Sequence, residues 1–483
     1  MAQSEREMAF SDRMTDHEAL MWNIEKDPWL NPSGAGLTIL DGPIDLDHFT
    51  STLRAAVAKM PRLYERVVPG LGRMAPPAWV PDPEFDLAFH CRHLALPDPG
   101  TERELLDLAT QLYLEPFDRT RPLWRFVVID GLEGGRSAIW SIVHHSVADG
   151  IGQLRMAEMY QQLDPSHPPP DDVDLEGVIA AAVEAHSAKQ SGGDLGNDLT
   201  STATQSFSHL VRRQFGIARR ALGEIVIWPA DPHRAVDKAT GAVTATSATV
   251  GALRGSGNEV KGGSPLWKHR SRHRHLEHVR VAFEDLKLAS KRLGVTINDL
   301  FMAGMTEGAV RYHADRDVEV DAFNTSFVVS TRTDSAIGGN AFTPVPVQVS
   351  GEAMDLRDRI TSIAGRLHEK RESMSHGGGM GAISGVANML PTSVITRAAR
   401  AQAGKMDFAT SNLRGAPFPL YVSGARVLSL VTMGPVAGTA CNATGISYDG
   451  TFEIGLFMDP RAIDDPGDFR EAIDAAFAEI VEL

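Results

Sequence analysis

Apolar residues recur along this chain with two different periods, which together predict alternating strands and helices. The apolar run at residues 36–42 predicts a short strand. The segment that follows has apolar residues at helical spacing, namely Leu46, Phe49, Leu53, Val57 and Met60. A second helix is predicted at residues 101–114. Strands followed by helices are typical of an α/β fold.

The segment from residue 123 to residue 150 predicts a strand hairpin with polar side chains at its exit. Residues 123–130 and 138–143 are apolar, and the glycine-rich residues 131–135 between them are typical of a turn. After Gly150, apolar residues at helical spacing predict a helix that packs on the sheet: Ile151, Leu154, Met159 and Leu163. The polar residues at the hairpin exit therefore lie between a strand end and a helix start.

A long linker is predicted in the middle of the chain. Residues 166–274 begin with several prolines and are rich in Gly, Ser, Thr and Asp. Within them, residues 207–228 have apolar positions on one helical face and four arginines on the other. Such a basic amphipathic helix either lies in a membrane interface or docks onto its own protein. A second basic cluster, residues 268–275, either meets a coenzyme phosphate or forms a solvated surface.

The second half of the chain repeats the α/β pattern. Helices are predicted at residues 286–293, 298–312 and 469–481, and strands at 326–332, 345–349, 420–427 and 445–457. The glycine-rich residues 377–381 lack the flanking strand and the lysine of a phosphate-binding loop, and we interpret them as flexible. We therefore predict the α/β fold class, with domains of mixed sheet and helices at residues 14–165 and 275–483.

Length and composition limit the classes of protein to which the chain can belong. Its 483 residues exceed one ordinary core, which agrees with two domains. No stretch approaches the about 18 consecutive apolar residues of a spanning helix, and the polar N-terminus does not resemble a signal peptide. Cys91 and Cys441 are single and far apart, so neither a disulfide framework nor a zinc site is indicated. The net charge of −15 argues against a nucleic-acid binder. From the N-terminus and the two single cysteines, we expect a cytoplasmic protein.

Residues 144–150, HHSVADG, are the strongest candidate for chemistry in the chain. One histidine at the end of a buried strand is usually a satisfied core residue. Two histidines, an aspartate and a glycine at fixed spacing favour a functional site instead. The unperturbed pKa of histidine lies close to neutrality. A neutral imidazole held at a rigid strand end can therefore accept a proton from an alcohol at physiological pH.

This motif resembles the HHxxxDG signature of the acyltransferases built like chloramphenicol acetyltransferase. Further blocks are similar to those of the bacterial wax ester synthase/acyl-CoA:diacylglycerol acyltransferases: Pro122-Leu123-Trp124, Thr296-Ile297-Asn298-Asp299, Ser330-Thr331-Arg332 and Ser411-Asn412-Leu413-Arg414-Gly415. The resemblance runs from about residue 14 to the C-terminus, without the linker. Leu413 and Arg414 stand where many family members carry Val-Pro, so the preferred alcohol cannot be inferred from the resemblance.

The resemblance implies a fold, a reaction and a set of partners. Two chloramphenicol-acetyltransferase-like domains joined by a long linker would meet at a channel that holds the histidines near its middle. A fatty acyl group would pass from acyl-CoA to diacylglycerol or to a long-chain alcohol, with no cofactor and no metal. Such substrates would bring the protein to the inner membrane face or to lipid droplets. The alternatives are a non-lipid acceptor, a carrier-protein-bound acyl donor, or a non-catalytic lipid-binding protein.

The resemblance also implies roles for the residues of the motif. His145, which matches the family's second histidine, would be the general base that takes the hydroxyl proton and returns it to the coenzyme A thiolate. No serine or cysteine nucleophile is needed, so an acyl-enzyme is not expected. His144 would brace the loop. Asp149 would be a structural carboxylate paired with an arginine, for which Arg332 and Arg125 are candidates.

The remaining candidate residues have less specific roles. Gly150 would let the following backbone approach closely, as glycine permits. Asn298, next to Asp299 in the same block, could donate a hydrogen bond to the oxyanion or could be a helix N-cap. The Pro-Leu-Trp block would wall the pocket.

Overall fold

The computed structural model describes residues 11–70, 76–191, 262–330, 342–375 and 392–483. Within these ranges the strands are β1 (Ser33–Leu40), β2 (Glu65–Val68), β3 (Ala78–Pro81), β4 (Cys91–Ala95), β5 (Trp124–Leu132), β6 (Arg136–His144), β7 (His275–Ala282), β8 (Ala322–Ser330), β9 (Phe342–Ser350), β10 (Phe408–Arg414), β11 (Tyr421–Val422), β12 (Ala425–Met433), β13 (Cys441–Tyr448) and β14 (Thr451–Met458). The α-helices are α1 (Asp16–Ile24), α2 (Leu46–Lys59), α3 (Leu87–His90), α4 (Glu102–Leu114), α5 (Gly150–Ala157), α6 (Leu175–Ser191), α7 (Phe283–Leu293), α8 (Ile297–Ala314), α9 (Leu356–Ser375), α10 (Thr392–Ala403) and α11 (Pro466–Glu482). The predicted α/β class is confirmed.

The first sheet carries the histidine motif and has the strand order β11-β12-β1-β6-β5-β4. β5 and β6 form the predicted antiparallel hairpin, and β6 also pairs with β1, so that His144 lies opposite Ser33. Both faces of the sheet are covered, since Phe49 of α2 belongs to one hydrophobic cluster and Trp140 of β6 belongs to another. Burial fixes the register of a central strand. β6 therefore gives the motif a rigid base.

The second sheet has the strand order β7-β14-β13-β10-β8-β9. The prediction of one strand at residues 445–457 is wrong, because β13 and β14 form a hairpin there around Asp449 and Gly450, whose φ angles are 41° and 85°. An Asp-Gly pair between two apolar runs is a strong hairpin signal. The predicted strand at residues 420–427 is likewise interrupted, by a turn at Ser423 between β11 and β12.

Two strands from the second half of the chain belong to the first sheet. β12 pairs antiparallel with β1, and β11 pairs with β12. The division predicted at residues 14–165 and 275–483 therefore does not follow the sheets, because pairing between distant strands leaves no periodic signal. The predicted linker, 166–274, also has folded ends: Leu175 is buried in the core of the first half, and Trp267 is buried in the core of the second.

β12 also brings the two sheets into contact. Gly455 of β14 lies so close to β12 that a Cβ atom on this glycine would be 2.0 Å from the carbonyl oxygen of Thr432. The hydroxyl of Thr432 donates to the carbonyl of Thr444 on β13 at 2.9 Å. Leu276 and Phe457 of the second sheet belong to the same hydrophobic cluster as the core-facing residues of β1 and β6. The two halves therefore share one packed boundary.

An ionic cluster lies at this boundary, with a buried pair, His278 and Glu453, at its centre. The imidazole of His278 on β7 contacts the carboxylate of Glu453 on β14, and its other nitrogen lies 3.7 Å from Glu102 in the first turn of α4. Arg280 lies 3.6 Å from each carboxylate, and Ser429 on β12 donates to Glu453 at 2.9 Å. Burial by itself lowers the pKa of His278, but the hydrogen bonds to the two carboxylates outweigh it and raise the pKa above the ordinary value. The charged form of His278 is therefore favoured.

We expect the stabilising contribution of this cluster to be lost as the pH rises above neutrality. The folded-state pKa of His278 is raised, so its stabilising contribution is fully present below the unfolded-state pKa of about 6.5 and is lost as the pH rises through the folded-state pKa. Thermal unfolding measured from about pH 6 to about pH 9 should show this loss in the wild type. His278→Gln should flatten the dependence. Equal slopes in the two proteins would show that the cluster does not couple protonation to stability.

Candidate active site

Backbone hydrogen bonds fix the histidine motif at the end of β6. The amide of His144 donates to the carbonyl of Leu123 at 3.0 Å, and the amide of His145 donates to the carbonyl of Pro32 at 3.3 Å. The next turn closes through the amide of Val147, which donates to the carbonyl of His144 at 2.8 Å. The motif is therefore tied to the residues directly before both strands that flank β6, and its position follows from the sheet.

His144 is fully buried, with 0% of its surface exposed. The amide of Ser146 donates to the Nδ1 of His144 at 3.0 Å, and the Nε2 lies 3.5 Å from the Oε2 of Glu25. The rings of Trp22 and Phe117 contact the imidazole edge-on. Burial is the main reason why its pKa lies well below the ordinary value. The Nδ1 of His144 is thus hydrogen-bonded within the turn, whereas Nε2 faces Glu25 without a hydrogen bond, and the bracing role stays a prediction.

His145 is also buried, and burial lowers its pKa to about 4. The nearby carboxylate of Asp149 opposes this shift, and His17 of α1 adds to it. The imidazole is therefore neutral at physiological pH and can accept a proton. A base with a pKa of about 4 is a weak base. The negative charge of Asp149 offsets this weakness in part, because it stabilises the imidazolium that forms when His145 accepts the proton.

Asp149 is the N-cap residue of α5, and its Oδ1 accepts from the amide of Gly152 at 2.7 Å. The predicted pairing with Arg125 is wrong, because that guanidinium contacts Glu115 instead. Arg332, the other candidate, lies outside the described residues. The structural part of the prediction fits this geometry, since the carboxylate satisfies an amide that would otherwise lack a partner at the helix start.

Gly150 lies where the motif meets the second half of the chain. A Cβ atom on this glycine would be 3.0 Å from the Cδ2 of Leu413, at the end of β10. Its φ angle is not in the left-handed region, so the tight constraint here is space: a side chain at this position would press on the end of the Leu413 side chain. The close approach that was predicted is therefore made to a side chain. Leu413 belongs to the residues at which this sequence departs from the family pattern.

The Pro-Leu-Trp block supports the motif from inside the core. Leu123 and Trp124 are fully buried, and the carbonyl of Leu123 holds the amide of His144. The indole of Trp124 donates to the carbonyl of Leu63 at 2.7 Å and stacks on His90 at 4.5 Å. Pro122 is buried next to them. These contacts are those of a packed support; a role as pocket wall stays a prediction.

Asn298 and Asp299 lie in the first turn of α8, and no hydrogen bond or ion pair joins either of them to the motif in the part of the chain that the structure describes. Thr296 is the N-cap, so the alternative of an Asn298 cap is wrong. Asp299 completes a capping box, since its carboxylate accepts from the amide of Thr296 at 2.9 Å, and it lies 3.4 Å from Arg371 of α9. The half-buried side chain of Asn298 remains a candidate donor to the oxyanion.

Two arginines of the basic cluster at residues 268–275 make contacts within the protein. Arg270 donates to the carbonyl of Gly438 at 3.1 Å, and Arg274 lies 3.6 Å from the buried Asp459. Neither arginine is a free surface cation of the kind that the coenzyme-phosphate interpretation needs. The solvated-surface interpretation is also incomplete, because these two side chains are largely buried.

Four residues near the motif were missed by sequence reasoning: His17, Glu25, Arg119 and Leu413. Each comes from a segment distant in sequence, and a single side chain on a helix or in a loop has no periodic signature. The only available signal was the position of Leu413 in a block that resembles a family motif. Contacts between distant segments require the structure.

In the described ranges, no helix is long and apolar enough to cross a membrane. Within the same ranges, no group of three or more His, Cys, Asp or Glu side chains could hold a metal ion. The amphipathic segment at residues 207–228 and the glycine-rich residues 377–381 lie outside the described residues.

Similarity to solved structures supports the fold. The wax ester synthase/diacylglycerol acyltransferase from Marinobacter aquaeolei VT8 superposes with a TM-score of 0.63 at 19% identity, covering 98% of this chain and 100% of that chain. The first condensation domain of the calcium-dependent antibiotic synthetase superposes with a TM-score of 0.58 at 16% identity, covering 98% of this chain and 96% of that chain. At these identities the likeness shows a shared fold, in agreement with the predicted chloramphenicol-acetyltransferase-like architecture.

Sequence comparison assigns the family. The model of the wax ester synthase/diacylglycerol acyltransferase catalytic domain matches residues 14–301, and that of the WS/DGAT C-terminal domain matches residues 338–481. A protein of Mycobacterium tuberculosis strain H37Rv, named as a candidate diacylglycerol O-acyltransferase, is 30% identical over 496 residues, covering 100% of this chain and 94% of the relative. A second such protein of that strain is 25% identical over 460 residues, covering 92% and 90%. The chain therefore belongs to the wax ester synthase/diacylglycerol acyltransferase family and is an O-acyltransferase.

Proposed function

We propose that this protein transfers a fatty acyl group from acyl-CoA to the hydroxyl of diacylglycerol or of a long-chain alcohol, with His145 as the general base. The observation that carries this proposal is the position of His145: a buried imidazole with a pKa of about 4, held at the end of a central strand. The neighbouring Gly150 contacts Leu413 of the second half. This position agrees with a channel between the halves that admits acyl-CoA from one side and the alcohol from the other.

The proposed reaction needs no covalent intermediate with the protein. His145 takes the hydroxyl proton while the alcohol oxygen attacks the thioester carbonyl carbon. The tetrahedral intermediate then collapses, the carbon–sulfur bond breaks, and the departing thiolate receives the proton from His145. Asn298 is our candidate for a hydrogen bond to the oxyanion, since its side-chain amide is a neutral donor. Peripheral attachment to the inner membrane face or to lipid droplets stays a prediction of the sequence.

The acceptor can be identified by supplying purified protein with radiolabelled palmitoyl-CoA and either hexadecanol or dioleoylglycerol. Labelled wax ester or triacylglycerol is the expected product, and the ratio of the two rates ranks the acceptors. No labelled ester with either acceptor, from protein shown to be folded, would contradict the proposal. It would favour a carrier-protein-bound donor, a non-lipid acceptor or a binding role.

Two substitutions of Asp149 should separate its structural and electrostatic contributions. Asp149→Ala removes the cap of α5 and should lower the free energy of unfolding by about 1 kcal/mol or more. Asp149→Asn keeps an oxygen for the amide of Gly152, so its stability should stay near that of the wild type. It removes the charge that raises the pKa of His145, however, and kcat should fall roughly tenfold. Thermal melts and steady-state rates measured together test this, and an Asn variant with the full wild-type rate would exclude the electrostatic role.

A further inference from the structure

Glu25 follows α1 and lies against the buried first histidine of the motif. Its Oε2 is 3.5 Å from the Nε2 of His144 and accepts from the guanidinium of Arg119 at 2.7 Å. Arg119 is itself held in place, since it donates to the carbonyl of Trp22 at 2.8 Å and lies 3.3 Å above the indole ring. One carboxylate oxygen is therefore directed at both Arg119 and His144.

The other side of the imidazole fixes which nitrogen carries the proton. The backbone amide of Ser146 can only donate, and it is directed at the Nδ1 of His144 at 3.0 Å. The hydroxyl of Ser146 also lies 2.6 Å from this Nδ1 and can donate to it. With Nδ1 as the acceptor, the hydrogen of the neutral ring is on Nε2, which lies 3.5 Å from the Oε2 of Glu25 and makes no hydrogen bond to a described residue. The geometry on the two sides of the ring selects the same tautomer. Without Glu25, this buried N–H would lose the carboxylate it faces.

We propose that Glu25 is a positioning residue for the reaction: it holds His144 in the Nε2–H tautomer and thereby fixes the turn that carries His145. In the other tautomer, the Nδ1–H would donate to the hydroxyl of Ser146 but would oppose the amide of Ser146, and the turn directly after His145 would shift. This inference rests on the proposed function only for its effect on rate. The tautomer of His144 can be measured without any substrate.

The test compares two variants of Glu25 in the full-length protein. Glu25→Gln keeps an oxygen that can accept from both partners, and its kcat should stay within about threefold of the wild type. Glu25→Leu removes the carboxylate charge that faces Nε2 and leaves no oxygen in its place, and kcat should fall roughly 10- to 100-fold, because the Nε2–H tautomer and the turn it holds are then no longer favoured by that charge. The KM for palmitoyl-CoA should change little in either variant, since Glu25 acts through His144.

Glu18→Leu is a matched control for stability. Glu18 is also a buried carboxylate of α1, and it accepts from the amide of Thr15, in contact with no motif histidine. The Glu18→Leu variant should have a lower melting temperature, as Glu25→Leu should, but its kcat should remain that of the wild type. An equal fall of kcat in both leucine variants, or an unchanged kcat in Glu25→Leu, would overturn the positioning role.

The tautomer itself gives a readout that does not depend on activity. Histidine-selective ¹⁵N spectra, with the signal of His144 assigned through a His144→Gln variant, should show the proton on Nε2 in the wild type and in Glu25→Gln. A proton on Nδ1 in the wild type would overturn the inference, even if Glu25→Leu does not fold. If the wild type makes no ester but shows the Nε2–H form, and Glu25→Leu loses that form, the proposed function fails while the positioning of His144 by Glu25 stands.

Discussion

His145→Ala should lower kcat by roughly 10²- to 10⁴-fold, the range that a general base contributes. The side chain removed is the one that takes the hydroxyl proton, and no other neutral imidazole of the motif is placed to replace it. His144 is enclosed, with one ring nitrogen bonded to Ser146 and the other facing Glu25. The initial rate of ester formation at saturating substrate measures this loss.

Stability should change little in this variant, and His93→Ala is the control for histidine removal as such. His93 is half-exposed on β4 and pairs with Asp130, away from the motif. It should keep wild-type turnover. If folded His145→Ala protein retained turnover within a few-fold of the wild type, while His93→Ala did too, His145 would not be the base.

Gly455→Ala should destabilise the protein by about 3 kcal/mol or more, or prevent folding. The added Cβ would lie 2.0 Å from the backbone carbonyl oxygen of Thr432. The Cβ is fixed to the backbone of β14, and β14 and β12 are each hydrogen-bonded to neighbours in their own sheets. Neither strand can move away without breaking its own sheet. Since β12 connects the two halves here, the loss should also reach the active site. Chemical unfolding, followed by both fluorescence and activity, measures the effect.

Gly36→Ala is the matched control for this prediction. Gly36 is the partner of Thr432 across the β1–β12 ladder, but a Cβ atom on Gly36 would contact only the hydroxyl of Ser141, at an ordinary 3.5 Å. Its cost should be small, because alanine in a strand interior avoids the entropic cost of glycine. Similar stabilities for the two alanine variants would show that the sheets do not meet as closely as described.

Local pattern predicted much of the fold. The spacing of apolar residues placed α2 and α4 correctly, and the two apolar runs around a glycine-rich turn predicted the β5–β6 hairpin. The Asp449-Gly450 turn was also readable in principle, since it is a known hairpin signal. The membership of β11 and β12 in the first sheet could not be predicted, because alternation of apolar residues indicates a strand but not the sheet to which it belongs.

The candidate active site was likewise predictable only in part. The motif predicted where the histidines lie, because strand ends and helix starts follow from local periodicity. Glu25 and Leu413 reach the motif from segments more than a hundred residues away, and only tertiary packing brings them there. At Asn298 the local prediction was right about the feature but wrong about the residue. The block does contain a helix cap, but the capping side chain is that of Thr296.

Acyl transfer directly from acyl-CoA to a lipid hydroxyl is the central claim, and coenzyme A release measured with and without acceptor tests it most directly. Protein at substrate-like concentration is mixed with radiolabelled palmitoyl-CoA, and free thiol, labelled ester and protein-bound label are followed together. We expect thiol release only when hexadecanol or dioleoylglycerol is present, with one ester formed per thiol and no label on the protein. A burst of thiol without acceptor, equal in amount to the enzyme and accompanied by labelled protein, would contradict direct transfer.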